Sequence, residues 1–301
     1  MTTGRSIVST CAARAALAGN PSDGYGGAVV AIPIPDLTAM AALEESDSGA
    51  FVHRSSDPDL EAVVDATVAA YDDMFGGVPA VELSLSTNIP RSVGLAGSSA
   101  LVIATLRALR AFDSERWEPI ALATAALSVE RERLGIEAGL QDRLVQAVGQ
   151  PVSMTFDPVG FEPLDVDERF QLFVAWSPEA AEPSDTVHRS LRRRFDGGDP
   201  TVREAMGELR VQASRARRGI LSGDTGLLAD AMHRTLAIRL EITEVPADQR
   251  RLIEIGRSAG AALNSAGSGG SVVGLARHAD HLATVLAAYR DAAIPTISLF
   301  A

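Results

Sequence analysis

Hydrophobic and polar residues alternate along parts of the chain in the pattern of half-buried β-strands. In residues 81–86, Val-Glu-Leu-Ser-Leu-Ser, apolar and polar side chains alternate, which predicts a strand with one face toward a core. Short apolar runs bounded by glycine, proline or polar residues predict further strands. They cover residues 28–34, 152–156, 171–176, 261–264, 272–275 and 296–300.

Longer segments with apolar residues at helical spacing separate these strands. Residues 98–112 are apolar nearly all round, which predicts a buried helix. Residues 119–134, with a proline at the start, predict a second helix, which glycines at 135 and 139 separate from a third at 140–148. Further helices are predicted at 202–221, 225–242, 247–259 and 278–291.

Two breaks in these patterns suggest how the chain is organised. The polar stretch 177–200, rich in proline, arginine and glycine, predicts a long loop or a lid. A loop-rich break near Pro158 predicts a boundary between two domains, residues 1–158 and 159–301. A length of 301 residues is enough for two modest domains.

The composition is that of a soluble globular enzyme, with 46% hydrophobic and 22% charged residues. No apolar run is long enough to cross a membrane, and the first 20 residues lack the ordered regions of a signal peptide. We therefore expect a cytoplasmic protein without a membrane partner. The single cysteine, Cys11, forms no internal disulfide and is expected to be a small core residue rather than a nucleophile.

Charge excludes several classes of protein. The formal net charge of −12 argues against a nucleic acid partner, which needs a concentrated basic face. All 27 basic residues are arginine. A Walker A loop, the strand lysine of a protein kinase and a Schiff-base amine all require lysine, so these three chemistries are excluded.

The segment with the most specific pattern is residues 90–100, Pro-Arg-Ser-Val-Gly-Leu-Ala-Gly-Ser-Ser-Ala, which leads directly into the buried helix. Gly94 and Gly97 allow a close backbone approach to a ligand, and Ser98 is expected to cap the helix. The free N–H groups of a helix N-terminus favour a phosphate, and a serine hydroxyl can face a metal ion. From the residues alone, an ordinary turn before a helix explains the segment equally well.

This segment also resembles the phosphate-binding motif of the GHMP kinases, Pro-x-x-x-Gly-Leu-x-(Gly/Ser)-Ser-Ser-Ala. Residues 14–27 are similar to the first motif of that family and residues 265–275 to its C-terminal glycine loop, in the same order along the chain. The resemblance implies an α+β fold of two domains, an N-terminal α/β domain and a C-terminal ferredoxin-like domain. It implies ATP as the phosphate donor and Mg²⁺ as the metal ion.

The resemblance also implies roles for two carboxylates. In galactokinase-like members a helical glutamate binds magnesium and precedes an aspartate that acts as catalytic base; these positions correspond to Glu130 and Asp142. Glu132, two residues further along the helix, is a weaker candidate for the metal. Without the resemblance, Glu130 beside Arg131 and Arg133 is explained better as part of a solvated helix face.

Further segments are similar to plant-type glucuronokinases, including residues 19–24, 93–100, 139–143, 184–194 and 268–270. The sequence departs from that pattern at 264–266, Asn-Ser-Ala, and in the helix around Met232. A sugar acid needs a cation for its carboxylate, and arginine is the best suited. The available arginines are Arg14, Arg189, Arg192, Arg193, Arg194 and Arg234, although a solvated loop explains the triple arginine more simply.

The predicted activity is therefore ATP-dependent transfer of the γ-phosphate to a sugar hydroxyl, with the anomeric hydroxyl of a hexuronic acid as the favoured acceptor. A different GHMP acceptor (a neutral sugar, a heptose phosphate or a mevalonate-type alcohol) and an inactive ligand-binding protein remain alternatives. The sequence lacks the full Gly-x-Gly-x-x-Gly of a dinucleotide-binding enzyme and the Gly-x-Ser-x-Gly of a serine hydrolase. We expect a monomer or a homodimer.

The resemblance assigns the site residues as follows. Asp142 and Arg14 would be catalytic, and Ser99 and Glu130 would hold magnesium. The ATP phosphates would bind Gly94, Leu95, Ala96, Gly97, Ser98, Ser99 and Ala100. The acceptor would bind Asn20, Asp23, Gly267, Ser268 and Gly269.

Overall fold

The computed structural model describes residues 5–53, 57–177 and 185–299. The strands in these ranges are β1 (Ser6–Ala18), β2 (Ala28–Glu45), β3 (Val52–His53), β4 (Val81–Thr87), β5 (Val152–Phe156), β6 (Val159–Pro163), β7 (Gln171–Trp176), β8 (Ala262–Ser265), β9 (Ser271–Ala276) and β10 (Thr296–Ser298). The α-helices are α1 (Pro58–Phe75), α2 (Gly97–Phe112), α3 (Pro119–Ser128), α4 (Leu140–Val148), α5 (Asp185–Asp196), α6 (Pro200–Ser222), α7 (Thr225–Ile242), α8 (Ala247–Ser258) and α9 (Ala279–Asp291). A 3-10 turn at Ser22–Tyr25 and a π-helical turn at Val129–Arg133 lie between them.

The chain forms two compact units, and each is assembled from segments that are separate in sequence. The first unit comprises Met1–Ala13, Pro35–Ile89 and Ala96–Gly149; the second comprises Arg14–Ile34, Pro90–Leu95 and Gln150–Ala301. The predicted phosphate-binding segment passes from the second unit to the first between Leu95 and Ala96. The sequence predicted one continuous boundary near residue 158, and that boundary stays a prediction.

The first unit packs helices around the buried helix α2. Residues such as Val102, Ile103 and Leu106 of α2 are completely buried, as its apolar pattern predicted. Helices α1, α3 and α4 each contact α2. The second half of β2 pairs antiparallel with β4, and β3 pairs parallel with β4.

The second unit contains a four-stranded antiparallel sheet in the order β10-β7-β9-β8. Along the chain, β7 is followed by α5 to α8, then β8, β9, α9 and β10. This is the βαββαβ arrangement of ferredoxin-like domains, so the predicted fold class is confirmed. The sheet and helices enclose a core that includes Phe173, Leu263 and Tyr289. In the same unit, the start of β2 pairs antiparallel with β5, and β5 pairs antiparallel with β6.

The prediction of a loop over 177–200 is wrong for the part that the structure describes, because α5 occupies Asp185–Asp196. Leu191 of this helix is buried and Phe195 packs against the same hydrophobic cluster. Arg194 fastens the end of the helix, since its Nε lies 2.9 Å from Asp199 Oδ2 and its Nη1 donates to the Ile242 carbonyl at 2.8 Å. Residues 178–184 lie outside the described ranges.

The predicted helix at 119–134 ends earlier than expected. Helix α3 stops at Ser128 and the chain continues as a π-helical turn, closed by the bond from Leu134 N–H to the Val129 carbonyl at 3.1 Å. Such turns insert one residue into a helix and occur frequently at functional sites. Here the turn carries Glu130.

Candidate active site

The predicted phosphate-binding segment leads into the N-terminus of α2. This helix begins at Gly97, and Ala96 precedes it in a left-handed conformation with φ 62° and ψ 44°. A left-handed residue with a side chain costs about 1–3 kcal/mol, and such strain is concentrated at ligand-binding and catalytic sites. The first N–H groups of an α-helix have no partners within the helix, so this end of α2 favours an anion.

The expectation that Ser98 caps α2 is wrong. The helix starts one residue before Ser98, and none of the described side chains caps this N-terminus. Instead, the Oγ atom of Ser98 is buried and has no hydrogen-bond partner among the described residues. Leaving a buried hydroxyl unpaired costs about 1–3 kcal/mol, so a ligand oxygen at this position would be favoured.

Ser99 is held in place by a glutamine of α4. Its side chain is buried, and its hydroxyl lies 2.6 Å from Oε1 of Gln146. The Nε2 atom of Gln146 donates to the carbonyls of Ala96 and Ala12, both at 2.9 Å. Gln146 thereby fixes Ser99 and the residue that precedes α2 relative to β1, within the first unit.

Glu130 does not lie on a solvated helix face. Its side chain is 1% exposed, whereas Arg131, Glu132 and Arg133 of the same turn are exposed. The guanidinium of Arg143 binds Oε2 of Glu130 through both Nε and Nη2, with Arg143 itself 5% exposed. A buried charge needs such a partner, because an unpaired carboxylate in this position would cost several kcal/mol.

Asp142 lies in the first turn of α4, directly before Arg143. Nη1 of Arg143 lies 3.2 Å from Oδ2 of Asp142, and the Asp142 side chain is 16% exposed. Arg143 therefore contacts both carboxylates that the sequence patterns indicated. The guanidinium and the positive end of α4 stabilise the negative charge of Asp142.

The donor set of the first unit fits a magnesium ion that is held chiefly by nucleotide phosphates. Mg²⁺ keeps several waters and typically takes one or two carboxylates together with substrate phosphates. Glu130 and Ser99 both contact α4, through Arg143 and Gln146, which are three residues apart and therefore on one helix face. Among the described residues, no cluster of three or more His, Cys, Asp or Glu side chains forms a metal cage.

The second unit contains the other half of the predicted site residues, around the buried side chain of Arg14. Its Nη1 atom donates to the carbonyls of Gly94 at 2.8 Å and Ala266 at 2.9 Å. The backbone here is packed too closely for side chains. A Cβ atom on Gly267 would lie 2.1 Å from the Gly94 carbonyl oxygen, and one on Gly94 would lie 2.4 Å from the Gly269 carbonyl oxygen.

The acceptor motif is also anchored to the glycine loop within this unit. Asn20 is buried, and its Nδ2 donates to the Ser265 carbonyl at 3.2 Å while its Oδ1 accepts from Asn264 at 2.8 Å. Asp23 follows in the 3-10 turn and is 9% exposed. Asn264 thus has a structural role at the position where the sequence departs from the glucuronokinase pattern.

One further basic side chain, Arg239, contacts both the acceptor motif and the glycine loop. Arg239, on α7, donates from Nη2 to the Gly267 carbonyl at 2.7 Å and from Nη1 to the Asn20 carbonyl at 3.5 Å. Burial is the main cause that lowers the pKa of Arg239 to about 10; the charge of Arg14 also lowers it, and Asp23 opposes the shift.

The structure groups the predicted residues by unit. The first unit contains Ala96, Gly97, Ser98, Ser99, Ala100, Glu130 and Asp142, and the second contains Arg14, Asn20, Asp23, Gly94, Leu95, Gly267, Ser268 and Gly269. Sequence reasoning assigned no role to Arg143, Gln146 or Arg239. The first lies within the motif segment 139–143, but nothing in the sequence distinguishes Arg239 from a surface arginine of a helix.

Two family models match this chain, one in each half of it. The model described as GHMP kinases N terminal domain matches residues 62–150, and the model described as GHMP kinases C terminal matches residues 216–294. The chain belongs to the GHMP kinase family. The predicted two-domain GHMP kinase fold is therefore confirmed.

Two plant proteins are similar over most of the GHMP kinase chain. Probable glucuronokinase 2 of Arabidopsis thaliana is 32% identical, and the alignment covers 87% of this chain and 82% of that protein. Glucuronokinase 1 of the same plant is 31% identical with the same coverage. The predicted resemblance to glucuronokinase-like members and the predicted enzyme class, a sugar kinase, are thereby confirmed.

Solved structures show the same fold at lower identity. Lactococcus lactis galactokinase complexed with galactose superposes with a TM-score of 0.81 and 16% identity, covering 98% of this chain and 93% of that chain. A D-glycero-D-manno-heptose 1-phosphate kinase gives a TM-score of 0.73 and 20% identity, covering 94% and 93%. GHMP kinases use ATP as phosphate donor, in agreement with the prediction.

None of the helices within the described ranges has the length and apolar content to span a bilayer.

Proposed function

We propose that this kinase phosphorylates a hexuronic acid at its anomeric hydroxyl, giving a sugar 1-phosphate and ADP. The observation that carries the proposal is the similarity to two glucuronokinases over 87% of the chain. The buried Arg14 and the half-buried Arg239 of the second unit support it, because a carboxylate on the acceptor needs a cationic partner.

In this proposal Asp142 accepts or orients the proton of the attacking hydroxyl. The hydroxyl oxygen forms a bond to the γ-phosphorus of ATP, and the bond from that phosphorus to the β–γ bridging oxygen breaks, so that ADP leaves. Phosphoryl transfer depends mostly on positioning and on neutralising charge. Arg143 contributes to both, since its guanidinium binds Asp142 and Glu130 and so fixes their relative positions.

The nucleotide phosphates are proposed to bind the segment from Gly94 to Ala100. The left-handed Ala96, the buried and unpaired Ser98 hydroxyl and the start of α2 support this assignment. Magnesium, when bound, neutralises phosphate charge, and Ser99 and Glu130 are the residues proposed to hold it. Asn20, Asp23, Gly267, Ser268 and Gly269 are proposed to bind the acceptor, with Arg14 beside the phosphate segment.

Steady-state kinetics with a panel of acceptors tests the function. The panel comprises glucuronate, galacturonate, glucose, galactose, fucose and heptoses, each assayed for magnesium-dependent ADP release. A charge-assisted hydrogen bond contributes about 1.5–3 kcal/mol, so glucuronate should exceed glucose in kcat/KM by roughly ten- to a hundredfold. Coupling of phosphorus to the anomeric proton in the NMR spectrum of the product would identify the phosphorylated oxygen.

Two outcomes would contradict the proposal at different levels. Equal or better turnover of a neutral sugar, of a heptose phosphate or of mevalonate would reject the hexuronic acid and leave a kinase with another acceptor. Failure of the protein to release ADP with every acceptor, although ATP binds, would indicate a ligand-binding protein without catalysis.

A further inference from the structure

Gln146 of α4 connects three segments of the first unit through one buried side chain, which is 2% exposed. Its Nε2 atom donates to the carbonyls of Ala12, in β1, and Ala96, both at 2.9 Å. Its Oε1 atom lies 2.6 Å from the hydroxyl of Ser99, in the first turn of α2. Arg107 of α2 also donates to the Gln146 backbone carbonyl, at 2.8 Å. Both the side chain and the backbone of Gln146 are therefore bonded to α2.

These contacts determine which atom of the Gln146 amide faces Ser99. A backbone carbonyl only accepts hydrogen bonds, so the carbonyls of Ala12 and Ala96 require the donor end of the amide beside them. The acceptor end, Oε1, is consequently the atom that faces Ser99. Because an amide oxygen has no proton to give, the Ser99 hydroxyl supplies the proton of this hydrogen bond.

A hydroxyl that donates its proton in one direction keeps its lone pairs for other directions. Ser99 has one hydroxyl proton, and the Ala96 carbonyl, at 3.2 Å, is the more distant of the two acceptors near it. Within the described ranges, no N–H or O–H group donates to the Oγ atom of Ser99. The lone pairs of this buried oxygen are therefore available to a cation.

An acceptor that holds the proton of a metal ligand fixes the direction of that ligand. Loss of such a partner typically lowers metal affinity by about ten- to a hundredfold. We propose that Gln146 is a positioning residue for the magnesium ion of the nucleotide, because it holds the Ser99 proton and so directs the Ser99 oxygen to the ion. This inference rests on the proposed function for the assignment of Ser99 to the metal, and it does not depend on the identity of the acceptor.

Gln146 also satisfies two backbone carbonyls, so its loss affects stability as well as Ser99. Two replacements separate these roles. Gln146→Met has a similar length and keeps neither the acceptor nor the donors. Gln146→Glu keeps an oxygen acceptor for Ser99 but loses the donors to Ala12 and Ala96. Both should lower the melting temperature, because buried carbonyls lose their partners, but only Gln146→Met should leave the Ser99 hydroxyl without its acceptor.

The test is calorimetric titration with ATP in the presence of magnesium and in EDTA, without any acceptor sugar. Gln146→Met should weaken the binding of magnesium-ATP by roughly ten- to a hundredfold, while the binding of metal-free ATP stays within about twofold. Gln146→Glu should bind with at least the wild-type dependence on magnesium. In the Ser99→Ala background, Gln146→Met should cause no further loss, since one residue acts through the other. Gln212→Met, a matched change of a buried glutamine on α6, should leave both affinities unchanged.

Four results would overturn the inference. A wild-type dependence on magnesium in Gln146→Met would show that Ser99 is oriented without Gln146. An equal loss in Gln146→Met and Gln146→Glu, or a further loss in the double variant, would assign the effect to the two carbonyls. If Ser99→Ala binds magnesium-ATP as the wild type does, the metal assignment and this inference fail together, while the proposed acceptor stands. Should Gln146→Met not fold, Gln146→Glu decides: a retained dependence on magnesium supports the inference, and a lost one rejects it.

Discussion

Asp142 is adjacent to Arg143 in sequence and contacts it in the structure. A substitution that keeps the size of the Asp142 side chain tests its chemical role with little disturbance of the fold. Asp142→Asn keeps the size of the side chain and removes its charge and its basicity. Because Asp142 is proposed to take or orient the acceptor proton, we expect turnover to fall by about a hundredfold to ten-thousandfold. Binding of ATP, followed by calorimetry, should persist.

A matched control for this variant is Asp280→Asn, since Asp280 is an exposed acidic residue in the first turn of α9. It should leave turnover unchanged. If Asp142→Asn retains near-normal turnover, Asp142 is not the catalytic base, and the proposed mechanism has to assign proton transfer to another group.

Glu130 is the ion-pair partner of Arg143, and it is also proposed to be a ligand of magnesium. Glu130→Gln leaves the buried Arg143 without its full counter-charge, so the free energy of unfolding should fall by about 3 kcal/mol. If Glu130 also holds the metal, the magnesium concentration for half-maximal activity should rise several-fold. Ser99→Ala should raise the same concentration with a smaller loss of stability.

The exposed Glu132, two residues away in the same π-helical turn, provides the control. Glu132→Gln should change neither the melting temperature nor the magnesium titration. A loss of stability in Glu130→Gln together with unchanged titrations in both Glu130→Gln and Ser99→Ala would show that the ion is held elsewhere and that Glu130 serves only the fold.

At the scale of helices and strands, the sequence predicted the bounds of an element best where the local hydrophobic pattern agrees with the burial of that element in the fold. Helix α2 was predicted to within one residue because it is apolar on nearly every side and largely buried. Helix α5 was missed because few of its side chains are apolar; Leu191 and Phe195 are enough to bury one face, but its many charges resemble those of a loop. No period in the sequence marks the π-helical turn, since it inserts a single residue.

The site was predictable to the extent that it lies in short motifs. Gly94, Ser99 and Asp142 occur in segments that resemble GHMP kinase motifs, and it was this resemblance, rather than the residues alone, that indicated them as candidates. Arg239 is distant in sequence from those motifs, and only folding brings it to Asn20 and Gly267. Its contacts with these two carbonyls depend on the fold, which the local sequence pattern does not show.

The close packing of the glycine loop predicts that a side chain at Gly267 would not be tolerated. In Gly267→Ala the new Cβ would meet the Gly94 carbonyl oxygen at 2.1 Å and the Arg14 guanidinium at 2.7 Å, and a backbone oxygen cannot move aside easily. We expect a loss of about 1–3 kcal/mol in the free energy of unfolding, as for other overpacked sites, with a large fall in kcat/KM. Chemical denaturation and kinetics would measure both.

Gly207 is an exposed residue in the interior of α6 and provides the matched control, because a Cβ atom at this position would meet no other atom within 4 Å. Gly207→Ala should increase the free energy of unfolding by about 0.5–1 kcal/mol, because alanine loses less backbone entropy in a helix. Normal stability and activity in Gly267→Ala would mean that the loop is not held as closely against Gly94 as the structure indicates.

At the scale of the whole molecule, the second unit depends on a segment that is distant in sequence. Its residues 14–34 bond to the C-terminal part of the chain: the Ala16 N–H donates to the Ala266 carbonyl at 2.9 Å, and Nδ2 of Asn264 donates to the Ala16 carbonyl at 3.0 Å. A chain cut at the sequence-predicted boundary would separate these partners. The fragment 159–301 would then lack a segment of its own compact unit.

We therefore expect the fragment 159–301, expressed alone, to lack a cooperative thermal transition and to show weak dispersion in its NMR spectrum. The fragment lacks residues 14–34, which contain Leu17, Val29 and Val30, and all three are completely buried in the intact chain. At about 25 cal/mol per Å² of apolar surface, losing three such side chains costs several kcal/mol, which is comparable with the stability of a whole domain. Co-expression with the fragment 1–158 restores the missing segment and should recover kinase activity in a purified complex. A fragment 159–301 that unfolds cooperatively near the wild-type melting temperature would show instead that the predicted boundary separates two independent domains.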